Sequence, residues 1–226
     1  GSEMCIRDSL CTPPMRGRAY YPKGFEITYS AAHKIVMELR SAYYNSGYGP
    51  GHRVALLLEN RPEFHLHWLA LNGLGISVVP INPDYREDEI IYLLDHSESL
   101  LVISISERIS ALRLAVEKCK LSVQLVEVSE LGDQLQDTTV AKSSENPGID
   151  SEAALLYTSG TTGRPKGCIL TNRYFLNAGK WYLEAGGYMT MTYGQERILT
   201  TLPIYHATAM AIGSMEMISS GGCIVM

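Results

Sequence analysis

The chain has 226 residues, 46% of them apolar and 19% charged, with a net charge of −5. That composition can fill a packed core and is too apolar for a disordered chain, and its acidic balance argues against nucleic acid or an anionic membrane surface as main partner. No uncharged apolar run reaches the ~18 residues that span a bilayer, and the five scattered cysteines, without a C-x-x-C pair, read as reduced thiols of a cytoplasmic chain rather than a disulfide frame or a zinc site.

Residues 1–9 (GSEMCIRDS) follow neither a helical nor a strand period and are set aside as a non-native leader. Ala32, Ile35, Val36, Leu39 and Tyr43 recur at helical spacing up to Gly47. Residues 53–59 (RVALLLE) form a short buried strand, and Asn60-Arg61-Pro62-Glu63 opens a second helix. There Asn60 is the expected cap, Pro62 occupies the first turn where its missing N–H is harmless, and Glu63 completes a capping-box-like pair. His65 and His67 lie two apart on this helix and face different sides, so they make a poor metal pair and read as ordinary surface residues. A strand over 76–80 and a turn at Asn82-Pro83-Asp84 follow, then a helix over 87–94 whose leading Glu87, Asp88 and Glu89 suit its dipole. A strand over 100–105, a helix over 106–119 and a strand over 123–128 continue the alternation. Strands alternating with helices of this length predict parallel βαβ units and an α/β fold, a layered βαβ sandwich.

Residues 129–150 are rich in acids, Ser and Thr and read as a surface linker before an apolar strand at 153–157. At the far end, residues 221–226 read as a turn and an apolar strand. A strand ending there is expected to expose an edge that pairs or aggregates, and the chain to be the front part of something longer.

Between these lies YTSGTTGRPKG, residues 157–167, with four hydroxyl side chains besides Tyr157, three glycines and a lysine directly after a buried strand. Glycines let backbone approach a ligand, hydroxyls and N–H groups donate to its oxygens, and Arg164 and Lys166 offset negative charge. No acid stands between Glu152 and Glu184, whereas Arg164, Lys166, Arg173 and Lys180 are basic, a setting that favours an anion such as a polyphosphate. Composition alone leaves open a loop that merely connects strands. The spacing is neither that of the Gly-x-x-x-x-Gly-Lys-Ser/Thr loop nor that of G-x-G-x-x-G, which removes the common kinase, GTPase and dehydrogenase patterns.

The segment resembles the signature phosphate loop of the adenylate-forming (AMP-binding) enzymes, which include acyl-CoA synthetases, luciferases and the adenylation domains of peptide synthetases. ITYSAAHKIVMELR and the stretch from GYGPGHRVALLLENRPEF to LLDHSES are similar to the family's earlier elements, so the resemblance covers roughly residues 20–226. It implies that residues 10–226 are the N-terminal portion of an AMP-binding domain whose C-terminal domain is absent. It also implies phosphate contacts from Thr158, Ser159, Gly160, Thr161, Thr162, Gly163 and Lys166, made while a substrate carboxylate attacks the α-phosphorus of ATP. The departing pyrophosphate gathers charge and needs preorganised donors and cations. Cys168, where the family generally has a small aliphatic residue, is expected to be a small buried hydrophobe, and Thr171 or Asn172 to cap the next helix.

Leu202-Pro203-Ile204-Tyr205-His206-Ala207 resembles the family's next motif. A lone His after an apolar strand reads as a structural residue; the resemblance instead assigns Tyr205 and His206 to the acyl-pocket wall. Peptide-synthetase domains place an Asp here for the substrate's ammonium, and this chain has none between Arg197 and Met215. The expected activity is therefore that of an ATP-dependent acyl-CoA ligase using a carboxylic acid, ATP, Mg²⁺ and CoA. No metal ligand and no complete catalytic set is read in this chain, because the family's magnesium-holding Glu, ribose-binding Asp and adenylation lysine have no counterpart here. A non-catalytic ATP- or pyrophosphate-binding module and an amino-acid adenylation domain stand as alternatives. Oligomeric state stays open, a homodimer of the longer protein being among the assemblies allowed.

Overall fold

The computed structural model describes residues 8–158 and 164–226. Strands β1 (Asp8–Thr12) and β2 (Phe25–Thr28) pair antiparallel, and helix α1 (Tyr29–Asn45) follows, capped by Thr28, whose hydroxyl accepts from the Ala31 N–H. The alternation then runs β3 (Arg53–Leu57), α2 (Pro62–Asn72), β4 (Ser77–Pro80), α3 (Glu87–Ser97), β5 (Leu101–Ser104), α4 (Ser106–Lys118), β6 (Gln124–Glu127) and a short α5 (Leu131–Gln134). The chain continues through β7 (Glu152–Thr158), β8 (Lys166–Thr171), α6 (Asn172–Glu184), β9 (Arg197–Leu199), a π-helical segment (Thr208–Gly213), α7 (Ser214–Ser220) and β10 (Cys223–Val225).

Six strands form one sheet in the order β6-β5-β3-β4-β7-β8, parallel throughout except for the antiparallel β7–β8 pair. Side-chain alternation sends Val54, Leu56, Val78, Ile103 and Leu156 to one face, where Trp68, Phe175, Met210 and Met215 cover them. Ala55, Leu57, Val79, Val102 and Leu155 point to the other face, under Leu93 and Leu94 of α3 and Leu112 and Ala115 of α4. Burial on both faces is why these strands are continuous apolar runs in the sequence.

The second sheet has the order β2-β1-β10-β9. Its strand β10 lies between β1 and β9, with Ile224 opposite Leu10 on one side and Ile198 on the other. The exposed edge expected at residues 224–226 is therefore absent: long-range parallel pairing satisfies both sides of the strand. Strand β1 starts inside the stretch that showed no period. Ser9 donates to the Ile27 carbonyl at 3.2 Å, and Asp8 sits 3.3 Å from Arg197.

Three local expectations are corrected. The helix α2 is capped by neither Asn60 nor Glu63. Its N-cap is Arg61 without a side-chain bond, Pro62 does open the first turn, and Glu63 accepts instead from the Tyr21 hydroxyl at 2.5 Å. His65 and His67 are not surface residues but 1% and 3% exposed, because α2 runs between the two sheets and buries both sides. The Tyr43 hydroxyl meets His67 Nδ1 at 2.6 Å, and His65 Nε2 meets Ser214 Oγ at 2.8 Å. Cys168 is exposed rather than buried, since β8 is an edge strand. Of the two candidate caps for α6, Thr171 serves, accepting from Tyr174 N–H. At α3 the Arg86 N–H donates to Glu89 at 2.8 Å, behind the three leading acids.

Candidate functional site

From β3 the chain passes to β4 on one side and then, through α3, back across to β5 on the other. That reversal creates a switch point at the carboxyl edge of the sheet, the place where open α/β sheets leave a crevice for ligands. The loop after β7 emerges at the same edge, one strand beyond β4. Both sequence motifs are brought there.

In the β7–β8 pair, Thr158 stands opposite Lys166 and Tyr157 opposite Gly167. Directly opposed residues share a face, so Thr158 and Lys166 project together, on the side of Leu156. Both are exposed. Ser159, Gly160, Thr161, Thr162 and Gly163, the remaining residues assigned to phosphate, lie outside the described residues.

The local charge is smaller than the sequence count suggests. Arg173 is forked onto Asp150 at 2.7 and 2.8 Å, and Lys180 faces Glu184 at 3.6 Å. Those two acids flank or close the acid-free window and neutralise half of its cations. Arg164 lies 5.4 Å from the centre of the Tyr92 ring. Among the described residues, the Arg164 and Lys166 side chains make no ion pair with an acid, whereas Arg173 and Lys180 do.

The 202–206 segment arrives on the same side of the sheet, with Ile204 in the cluster that holds Leu156. Asn60, one turn beyond β3, fixes it there. Its amide nitrogen donates to the Leu202 carbonyl at 2.9 Å, and its oxygen accepts from the Ile204 N–H at 2.8 Å. The Tyr20 hydroxyl in turn donates to the Asn60 carbonyl at 3.1 Å. Asn60 is thus a positioning residue that the sequence pattern disguised as a helix cap. Tyr205 is half-exposed and His206 exposed, with ring centres 4.6 Å apart. Partial burial and the Asp84 charge push the Tyr205 phenol up.

Among the described residues no three His, Cys, Asp or Glu side chains converge. No described helix is long and apolar enough to cross a membrane.

A doubly buried, mostly parallel sheet, with the strand that leads into the 157–167 segment ending at its carboxyl edge, defines the α/β class of this chain. The family model described as AMP-binding enzyme matches residues 11–226, and the chain belongs to that family, the adenylate-forming enzymes. Sulfoacetate–CoA ligase from Cupriavidus necator is 28% identical over 211 residues, covering 90% of this chain. Crotonobetaine/carnitine–CoA ligase from a Proteus species is 25% identical over 215 residues, covering 89% of it. The chain spans 40% of the length of each of these relatives. Among solved structures, ATP-bound MatB from Rhodopseudomonas palustris superposes with a TM-score of 0.78 at 20% identity, over all of this chain and 43% of that one. The N-terminal domain of FACL13 from Mycobacterium tuberculosis gives 0.78 at 23% identity, over 97% of this chain and 53% of that one. Both share the fold.

Proposed function

We propose that this chain carries the ATP-phosphate-binding part of an acyl-CoA ligase, an enzyme that activates a carboxylic acid as its acyl-adenylate and then transfers the acyl group to CoA. The observation that carries this reading is the paired projection of Thr158 and Lys166 at the carboxyl edge of the sheet, on either side of the hydroxyl- and glycine-rich loop. In the first step a carboxylate oxygen bonds to the α-phosphorus, the bond to the bridging oxygen breaks, and pyrophosphate leaves with the electron pair. The Lys166 ammonium and the Thr158 hydroxyl would meet the charge that builds on the leaving group, joined by donors from 159–163. Tyr205 and His206, held by Asn60, are assigned to the wall of the acyl pocket. The two curated relatives named above are CoA ligases, and the absence of any Asp or Glu between Arg197 and Met215 favours a carboxylic acid without an α-amino group, since a buried ammonium there would lack a partner.

Titration calorimetry with ATP and with pyrophosphate tests the reading. Lys166→Ala should weaken both by about 10–100-fold, the range of a charge-assisted contact, and Lys166→Arg should recover part of that loss. Equal affinity in wild type and Lys166→Ala would refute it. Because the family's magnesium-holding Glu, ribose-binding Asp and adenylation lysine have no counterpart read in this sequence, the 226 residues alone are expected to release little pyrophosphate in response to any acid. Rapid acid-dependent release would overturn that part of the proposal.

A further inference from the structure

We infer that Tyr92 and His96 of α3 are positioning residues that clasp both stems of the 158–166 loop from the face opposite the one Thr158 and Lys166 use. The inference rests on the phosphate-binding role proposed for that loop. One helical turn apart, the two side chains share a face of α3. The Tyr92 hydroxyl donates to the Pro165 carbonyl at 3.1 Å, and His96 Nδ1 lies 2.7 Å from the Tyr157 hydroxyl. One contact thus takes the outgoing stem and the other the incoming stem.

The chemistry of each contact suits a clasp. Thr158 and Lys166 form the last register pair of the β7–β8 ladder. The next residue, Pro165, has no N–H, so its carbonyl is the one backbone group through which the hold can extend into the loop. Tyr92 supplies the donor. Burial and the neighbouring Tyr92 phenol push the Tyr157 phenol well above its ordinary value, so its hydroxyl stays protonated and can donate to the imidazole. The three rings pack into one unit, with Tyr92–His96, His96–Tyr157 and Tyr92–Tyr157 centres 5.3, 5.7 and 6.5 Å apart, the first pair tilted and the other two edge-to-face. The Arg164 guanidinium lies over the Tyr92 ring. Tyr157 packs with the α3 and α4 cluster, whereas alternation turns Thr158 to the other side. Neither Tyr92 nor His96 therefore approaches a ligand held by Thr158 and Lys166; they act through the backbone between them.

The test combines two readouts on the intact chain: hydrogen exchange of peptides spanning 157–167, and calorimetric affinity for inorganic pyrophosphate. The variants are Tyr92→Phe, His96→Leu, His96→Asn, the pair Tyr92→Phe with His96→Leu, and Lys166→Ala. Asn places its oxygen near the position of Nδ1 and keeps an acceptor for Tyr157, so it should rescue what Leu loses. A merely space-filling role would not make that distinction. In the paired variant, exchange across 157–167 should quicken about 10-fold and pyrophosphate should bind about 10-fold more weakly, the effect of two lost hydrogen bonds. Exchange in β3 and β5 should stay at the wild-type rate. Unchanged exchange at 157–167 overturns the clasp. If Lys166→Ala loses pyrophosphate while the paired variant keeps it, the clasp is overturned and the phosphate reading stands. If Lys166→Ala keeps pyrophosphate, the phosphate reading fails and takes the positioning role with it.

Discussion

Lowering the pH from 7.5 to 5.5 should cost the folded chain about 3 kcal/mol through two imidazoles of α2 alone. Burial lowers both His65 and His67 from an ordinary value of 6.5 to about 4, and it is the sole cause acting on either. Between those values the unfolded chain takes up a proton at each site and the native chain does not. Stability is therefore full above about pH 6.5 and falls as the pH drops toward 4, by roughly 1.4 kcal/mol per unit for each histidine. Tyr43 and Ser214, the groups bonded to the two rings, are neutral and cannot hold an imidazolium. Urea unfolding followed by the fluorescence of Trp68, buried against Phe175, measures the loss directly. A loss of this size corresponds to a fall in Tm of about 6–12 °C for a chain of this length. The control is the double variant His65→Gln, His67→Asn, which keeps acceptors near Nε2 and Nδ1 but cannot titrate. His52, also lowered by burial, is present in both proteins, so their difference isolates α2. Equal acid sensitivity in wild type and double variant would refute the reasoning.

Asn60→Ala should remove both bonds to the 202–204 backbone, cost about 1–3 kcal/mol and speed exchange of the Ile204 amide; an unchanged amide would show that the segment holds itself. Gly179→Ala, which helix propensity alone would make stabilising by about 1 kcal/mol, should instead destabilise by about 1–3 kcal/mol. The added Cβ would lie 2.7 Å from the Met215 carbonyl oxygen and 2.6 Å from Ser219 Oγ, and a rise in Tm would contradict that packing. Glu152→Gln should cost about 1–3 kcal/mol at pH 7 by unpairing the half-buried Arg53, whose fork reaches Glu152 at 2.7 and 2.9 Å. Burial raises the Glu152 carboxyl and the Arg53 guanidinium outweighs it, leaving it below its ordinary value. The deficit of the variant should accordingly shrink as the pH falls through the carboxylate range, and urea midpoints at pH 7 and pH 3 compare the two.

The parallel sheet was legible because it is local physics repeated. Runs such as 53–57 and 101–104 are apolar throughout, helices of suitable length separate them, and Pro62 and the acids of α3 mark helix starts that the structure keeps. The 157–167 segment stands out in the sequence by its residue types, and the structure sets its two stems in register, Thr158 opposite Lys166. What stayed hidden depends on contacts distant in sequence. Asn60 looks like a cap because its partners, Leu202 and Ile204, lie about 140 residues away. His65 and His67 look superficial because a helix normally has a wet side, and only the second sheet, closed by β10, removes it. Cys168 is followed by the apolar Ile169 and Leu170 but falls on an edge strand, an assignment that order within the sheet decides. The charge window misled for the same reason: Asp150 and Glu184 lie just outside it in sequence and beside its cations in space.

Burial on both faces also explains why the polar chemistry gathers where it does. Strands whose two faces are sealed can present polar groups only at their ends, and the carboxyl edge receives β3, β4 and β7 together. An anion-binding loop at that edge needs its stems fixed, since each lost constraint would be repaid from binding energy. The sheet fixes them from three directions. The ladder sets Thr158 against Lys166, α3 reaches Tyr157 and Pro165 from behind, and Asn60 anchors the neighbouring 202–204 backbone on the ligand side. The groups that hold it, Tyr92, His96 and Asn60, lie outside residues 157–167, so a loop of the same sequence lifted onto another hairpin should bind pyrophosphate weakly. On the reading proposed for this loop, selectivity for a polyphosphate would lie in the loop's residue types, and much of the affinity in the elements that hold its stems still.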